Sequence, residues 1–186
     1  LEITDPAPMF CVPGNHERGA RRDFAGFRTL YGADRFAFTF GACAFTGFNN
    51  SGKPRIREED LEFVRTSLAE TAARWKFLFY HIPPVFFEDR IVSDERRRGF
   101  RKHAEALHEL CVSHDVTEVF MAHIHGYASE VIDGVRYTLT AGGGAPLSKR
   151  LAESGRAWNY VLLHAGPDSL TREAVRCVNG EWLRES

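Results

Sequence analysis

The chain has 186 residues, 44% hydrophobic and 26% charged, with a formal net charge of −1 and a sequence pI near 6.8. This composition describes a single globular domain, residues 1–186, with enough apolar material for a core. No apolar run approaches the roughly 20 residues of a bilayer-spanning helix. The near-zero charge offers no global field to nucleic acid or to an anionic membrane, so small partners are expected over polymers.

In chain order, residues 4–8 (Thr4-Asp5-Pro6-Ala7-Pro8) are turn-like, and Asp5 reads as a loop residue. Met9-Phe10-Cys11-Val12-Pro13 has strand composition and runs into Gly14-Asn15-His16-Glu17. Residues 24–31 suggest a short helix or loop. Residues 36–40 and 43–48 alternate as a hairpin around Gly41-Ala42, and residues 49–54 form a loop. Leu61, Val64, Leu68 and Ala72 recur at helical spacing across residues 58–74, with acidic residues in the first turn. Phe77-Leu78-Phe79-Tyr80 is then a strand that delivers His81-Ile82-Pro83-Pro84. A second helix over residues 97–114 places Phe100, Ala104, Leu107 and Cys111 on one face. The strand at 117–121 follows and delivers His123-Ile124-His125. Beyond it, residues 128–132 and 135–140 flank Asp133-Gly134, a strong hairpin signal, and residues 157–164 and 170–178 read as further strands.

The three histidine-bearing motifs share one grammar, in which a strand-like run presents an imidazole or amide oxygen where it stops. In open sheets ligands gather outside the carboxyl ends of strands, so three distant segments can converge on one crevice. Imidazole combined with neutral oxygen suits Mn, Fe, Zn or Ni rather than Ca or Mg alone. A single histidine after a strand is ordinarily a packed core residue, but three such motifs together point to a metal site. His103, His108 and His114 lie on or after a helix and read as packing or surface residues.

Together these motifs resemble the later motifs of the calcineurin-like metallophosphoesterases, which read GNH[DE], a histidine after a strand, and GHxH. Gly14-Asn15-His16-Glu17 matches the first in full. Tyr80-His81 and Ala122-His123-Ile124-His125 match the others with Tyr and Ala in place of Gly, and the resemblance runs from about Met9 to Pro146. It implies an α+β fold, a four-layer αββα sandwich of two mixed sheets flanked by helices. It implies further that Asn15, His81 and His123 bind one metal and His125 the other, with His16 as a catalytic group that bonds a phosphoryl oxygen or protonates the leaving group. Glu17 either orients His16 or caps the next segment, the capping or solvated reading being the plainer one. The implied reaction is phosphoester hydrolysis at a binuclear centre with a bridging hydroxide, two divalent transition metals (Mn favoured) and a small phosphoester substrate.

The family's opening DxH and GD motifs would lie upstream of Gly14 and are not in the chain, which begins with Leu1. The expectation is therefore a domain lacking its first strands and its bridging aspartate. Such a chain would be inactive or impaired unless an N-terminal half or a partner chain completes it. A non-catalytic binding or scaffolding module of the same fold is the alternative, opposed by the fact that every later ligand position is filled. The glycine run 142–144 suits either close approach to a phosphate or a tight turn. Substrate selection is assigned to residues 49–57 and 85–99, where Arg96-Arg97-Arg98 reads as a solvated, mixed-charge helix start or as a clamp on a distal phosphate. Cys11, Cys43, Cys111 and Cys177 are read as unpaired thiols, a weak lean towards a reducing, cytoplasmic setting.

Overall fold

The computed structural model describes residues 7–19, 23–53 and 55–185; Asp5 therefore lies outside the described residues. Six strands form one mixed sheet: β1 (Phe36–Phe40), β2 (Cys43–Gly47), β3 (Trp75–Phe79), β4 (Glu118–Met121), β5 (Tyr127–Ile132) and β6 (Val135–Thr140), in the order β1-β2-β3-β4-β6-β5. The four inner strands run parallel, and β1 and β5 close the edges as antiparallel hairpin arms. A second sheet, β7 (Trp158–Ala165), β8 (Leu170–Val178) and β9 (Glu181–Glu185), is antiparallel throughout.

The pleat explains the layering. Leu78, Val119, Met121, Val135, Tyr137 and Leu139 project from one face of the large sheet into the main core. After a short α1 (Ala25–Tyr31), the helices that cover this face contribute Leu61, Val64 and Leu68 of α2 (Glu58–Ala69), Phe87 of α3 (Val85–Ile91), and Leu107, Leu110 and Cys111 of α4 (Ala104–Ser113). On the opposite face Cys43, Phe77 and Phe120 pack, with Phe45 and Phe79, against Val161, Leu163 and Leu170 of the second sheet. Glu118, buried at this junction, is held by Arg172 at 3.0 Å and by the Thr138 hydroxyl at 2.5 Å. The α+β sandwich of two packed sheets is thus present. In detail, the second sheet is antiparallel rather than mixed, and Trp158, Tyr160 and Trp182 on it are exposed.

Several expected elements differ. Residues 9–13 join no strand ladder; the Phe10 ring packs at a tilt against Phe36 and Phe38 instead. The second helix starts at Ala104 rather than residue 97, because Phe100 is held in an isolated β-bridge with Pro84, its amide donating to Pro83 O and its carbonyl accepting the Val85 amide, while Arg98 and Gly99 donate to Glu88. His103 then sits in the left-handed region at φ 64°. Residues 85–91, part of the segment assigned to substrate selection, form α3 with Pro84 at the N-cap, and neither this helix nor β9 was anticipated. At the Asp133-Gly134 turn both residues have positive φ, 48° and 83°, the twist that a two-residue hairpin needs. Among the described residues no helix is long and apolar enough to cross a membrane.

Candidate metal centre

The parallel strands β2, β3 and β4 end at the same edge of the sheet, which brings the loops holding Asn50, His81 and His123 together. The Gly14-Asn15-His16-Glu17 segment reaches that edge from the side as a single 3₁₀ turn. Glu17 caps it: its carboxylate accepts the Gly14 amide at 2.6 Å. Position 14 has no room for a side chain, since a Cβ there would stand 2.8 Å from the Glu17 carboxylate and 2.9 Å from the His81 ring. The glycine therefore lets Asn15 approach His81.

Three donors converge. Asn15 Oδ1 is 2.8 Å from His81 Nε2 and 3.0 Å from His123 Nδ1, and those two nitrogens are 3.3 Å apart. Donors held about 2.1 Å from one ion stand about 3.0 Å apart at adjacent octahedral positions and about 3.4 Å apart in a tetrahedron, for bond lengths typical of first-row metals. The triangle has the dimensions of one face of such a polyhedron, so these residues fit a single ion. His123 occupies the left-handed region at φ 71°, a strained backbone for a residue with a side chain and a kind of strain that gathers at functional sites.

His125 and His16 line the same cavity, of about 280 Å³, together with Asn15, His123, Arg98 and Arg150. His125 donates its Nδ1 proton to Pro146 O at 3.0 Å, which fixes the tautomer and leaves the Nε2 lone pair free. His16 is exposed at the cavity wall. Among the described residues no group of three or more His, Cys, Asp or Glu side chains assembles to hold a metal. The one triad that forms owes its third donor to an amide, and no carboxylate joins it. His103 and His108 bond elsewhere, to Ile56 O and to Tyr137 and Asp133.

Two supports were not read from sequence. Asn50, 2% exposed, clamps the His81-Ile82 backbone: its Oδ1 accepts both amides at 3.0 and 2.9 Å, and its Nδ2 donates to Ile82 O at 2.8 Å. Ser51 donates to Pro13 O at 2.6 Å, tying the same loop to the Asn15 segment. Glu88, fully buried, takes the amides of Arg98 and Gly99 and the Arg150 guanidinium at 2.8 Å, and Arg150 also grips Asp94. The signal for Asn50 was its position just past a strand end; for Glu88 there was none, because the acceptor's partners lie in other segments. Within the glycine run only Gly142 is required by packing, since a Cβ there would meet Ala157 O at 2.4 Å, whereas Gly144 sits at φ 112° and Gly143 borders open space.

Burial, followed by the neighbouring His123, His16 and His125 rings, pushes the His81 pKa down to about 3, and burial also lowers His123. Both rings are neutral at pH 7 and present lone pairs. Below the ordinary value of 6.5 the unfolded chain takes up a proton at residue 81 that the folded chain refuses. Stability of the metal-free protein is therefore expected to be full above pH 6.5 and to fall as the pH drops towards about 3. Urea midpoints across this range should slope in the native protein and slope less in His81→Ala; parallel slopes would show that His81 titrates normally.

Residues 2–127 match the calcineurin-like phosphoesterase family. The chain belongs to that family. This calcineurin-like chain is similar in fold to the purple acid phosphatase PPD1 of yellow lupin, at 18% identity and a TM-score of 0.62, with 82% of this chain and 32% of that one covered. It is also similar to GAP50 of Plasmodium, described as the anchor in the inner membrane complex, at 15% identity and a TM-score of 0.56, covering 81% of this chain and 52% of that one. The chain thus spans about a third and about half of those two proteins. No curated protein sequence matches it. Membership makes it a phosphoesterase-type domain, for which divalent metal ions are the general requirement.

Proposed function

We propose that the chain carries part of the active site of a metal-dependent phosphoester hydrolase, working with two divalent transition metals, Mn favoured, on a small phosphoester. The observation that supports this most is the triangle of Asn15, His81 and His123 donors, each brought from a separate loop to within 3.3 Å of the next. These three would hold one ion, and His125, through Nε2, would serve the second. When bound, the metals supply Lewis acidity towards the phosphoryl oxygens and lower the pKa of water.

The chain's own residues divide the remaining work. Arg98, whose guanidinium has no partner among the described residues, and Arg150 bring positive charge to the cavity wall beside His123 and His125, where phosphoryl oxygens carry negative charge. His16, exposed on the same wall, is placed to bond a phosphoryl oxygen or to give its proton to a departing alkoxide. Burial of His81 keeps that ring unprotonated and hence a ligand at neutral and mildly acidic pH.

A second reading, a non-catalytic module of the same fold, draws support from the lack of any carboxylate at the donor triangle among the described residues. The two readings separate on one assay. Purified chain, loaded with Mn²⁺ and alternatively stripped with chelator, is offered an aryl phosphate monoester and a bis-aryl diester. Metal-dependent release of the phenolate supports the hydrolase and shows which ester it prefers. Retention of two metals per chain without turnover of either ester supports the module, because a chain that carries only part of the hydrolase centre would not hold the second ion.

A further inference from the structure

Asn50, which clamps the backbone of His81, also lines a second cavity of about 290 Å³, walled by five basic side chains, Arg18, Arg28, Lys53, Arg55 and Arg57, against one acidic side chain, Asp34. Two of the five are neutralised: Arg28 pairs with Asp34 at 3.1 Å and Arg57 with Asp60 at 2.7 Å. Arg18, Lys53 and Arg55 have no carboxylate within ion-pair distance among the described residues. In addition, the Nε of Arg18 is buried and bonds to nothing among them. A buried donor left unpaired among three uncompensated cations is unfavourable in the empty protein, and a bound oxyanion relieves both costs at once.

We propose that this cavity is a phosphoryl-binding subsite. Guanidinium forks match the tetrahedral oxygens of phosphate, and Lys53 adds a point charge. The volume, at the small end for ligand pockets, admits a phosphoryl group with the few atoms that carry it. The cavity is a compact concavity, open to solvent on one side, in a chain of net charge −1 that offers no global field to a polymer. The occupant is a second phosphate on the substrate whose ester is cleaved at the metal centre, or free phosphate. Only the first of these rests on the hydrolase reading above.

The test uses the whole chain with chelator present, so that no metal binds the probe, and measures inorganic phosphate binding by titration calorimetry. Lys53 and Arg55 are exposed, so K53Q/R55Q is expected to fold normally and to bind phosphate roughly tenfold more weakly or worse, each tenfold step corresponding to about 1.4 kcal/mol. Arg18→Gln should weaken binding independently. His81→Ala, which alters the donor triangle, and Arg98→Gln, which alters the cavity beside it, should bind as the native chain does. Equal binding by the native chain and K53Q/R55Q, or no binding by the native chain, overturns the subsite. The source is then read with esters: if the substrate's own second phosphate is the occupant, K53Q/R55Q raises KM for a bisphosphorylated ester and leaves the monophosphorylated counterpart unchanged. If free phosphate is the occupant, both KM values stay put and added phosphate changes both rates in the native chain alone. Failure to hydrolyse any ester would leave the phosphate-binding result standing, since the calorimetry reads no turnover.

Discussion

His81→Ala is expected to abolish retention of metal at the donor triangle while leaving the chain folded. His81 Nε2 supplies one of three donors, and Asn15 Oδ1 with His123 Nδ1, 3.0 Å apart, would be left as an incomplete pair. Loss of a supporting residue outside the coordination sphere commonly costs 10–100-fold in affinity, so loss of a donor should exceed about 100-fold. The fold should survive, because the Asn50 clamp binds the backbone of residue 81 and not its ring. The check is metal per chain by elemental mass spectrometry after Mn²⁺ loading and desalting, with His114→Ala as a control on α4's C-cap. Retained metal in His81→Ala at the native level would mean that the triangle is a hydrogen-bonded cluster and that metal binds elsewhere.

Glu88→Ala should produce the largest loss of stability. The carboxylate is 0% exposed and anchors Arg98 N at 2.8 Å, Gly99 N at 2.7 Å and Arg150 Nη2 at 2.8 Å. Removing one partner of a buried ion pair typically costs about 3–5 kcal/mol, against a total stability of about 5–15 kcal/mol for a domain. Urea unfolding should show that deficit, and Glu88→Gln, which keeps the shape and one acceptor oxygen, should lose less. The damage should reach the site as well, since Arg98 and Arg150 both line the cavity beside His123. An unchanged urea midpoint in Glu88→Ala would mean that the cost of desolvating the carboxylate already cancels its bonds.

What could be read in the sequence was local. The strands before His81 and His123, the hairpin at Asp133-Gly134 and the amphipathic helix carrying Leu61, Val64 and Leu68 follow from periodicity and turn chemistry acting over a few residues. Two misses carried the same kind of signal unread. Asn179-Gly180, with φ of 52° and 87°, is a two-residue turn that makes β9, and Pro83-Pro84 precedes α3 as prolines do at helix starts. The remaining misses were not local. The run at residues 9–13 has the composition of a strand, but pairing needs a neighbouring edge, and Phe10 finds the Phe36 and Phe38 rings instead. The helix expected from residue 97 begins only at Ala104 because a bridge to the Pro84 segment takes both the amide and the carbonyl of Phe100 out of helix bonding.

The sequence by itself determined the donor types, their places at strand ends and the family they resemble, because residue chemistry and short-range patterning need no knowledge of distant segments. Only the tertiary structure decided that Asn15, His81 and His123 meet, that Asn50 and Glu88 hold the loops around them, and that unpaired cations gather at a second cavity. Those facts depend on which loops the parallel strands bring to one edge, and on which buried donors and acceptors find each other across long stretches of chain.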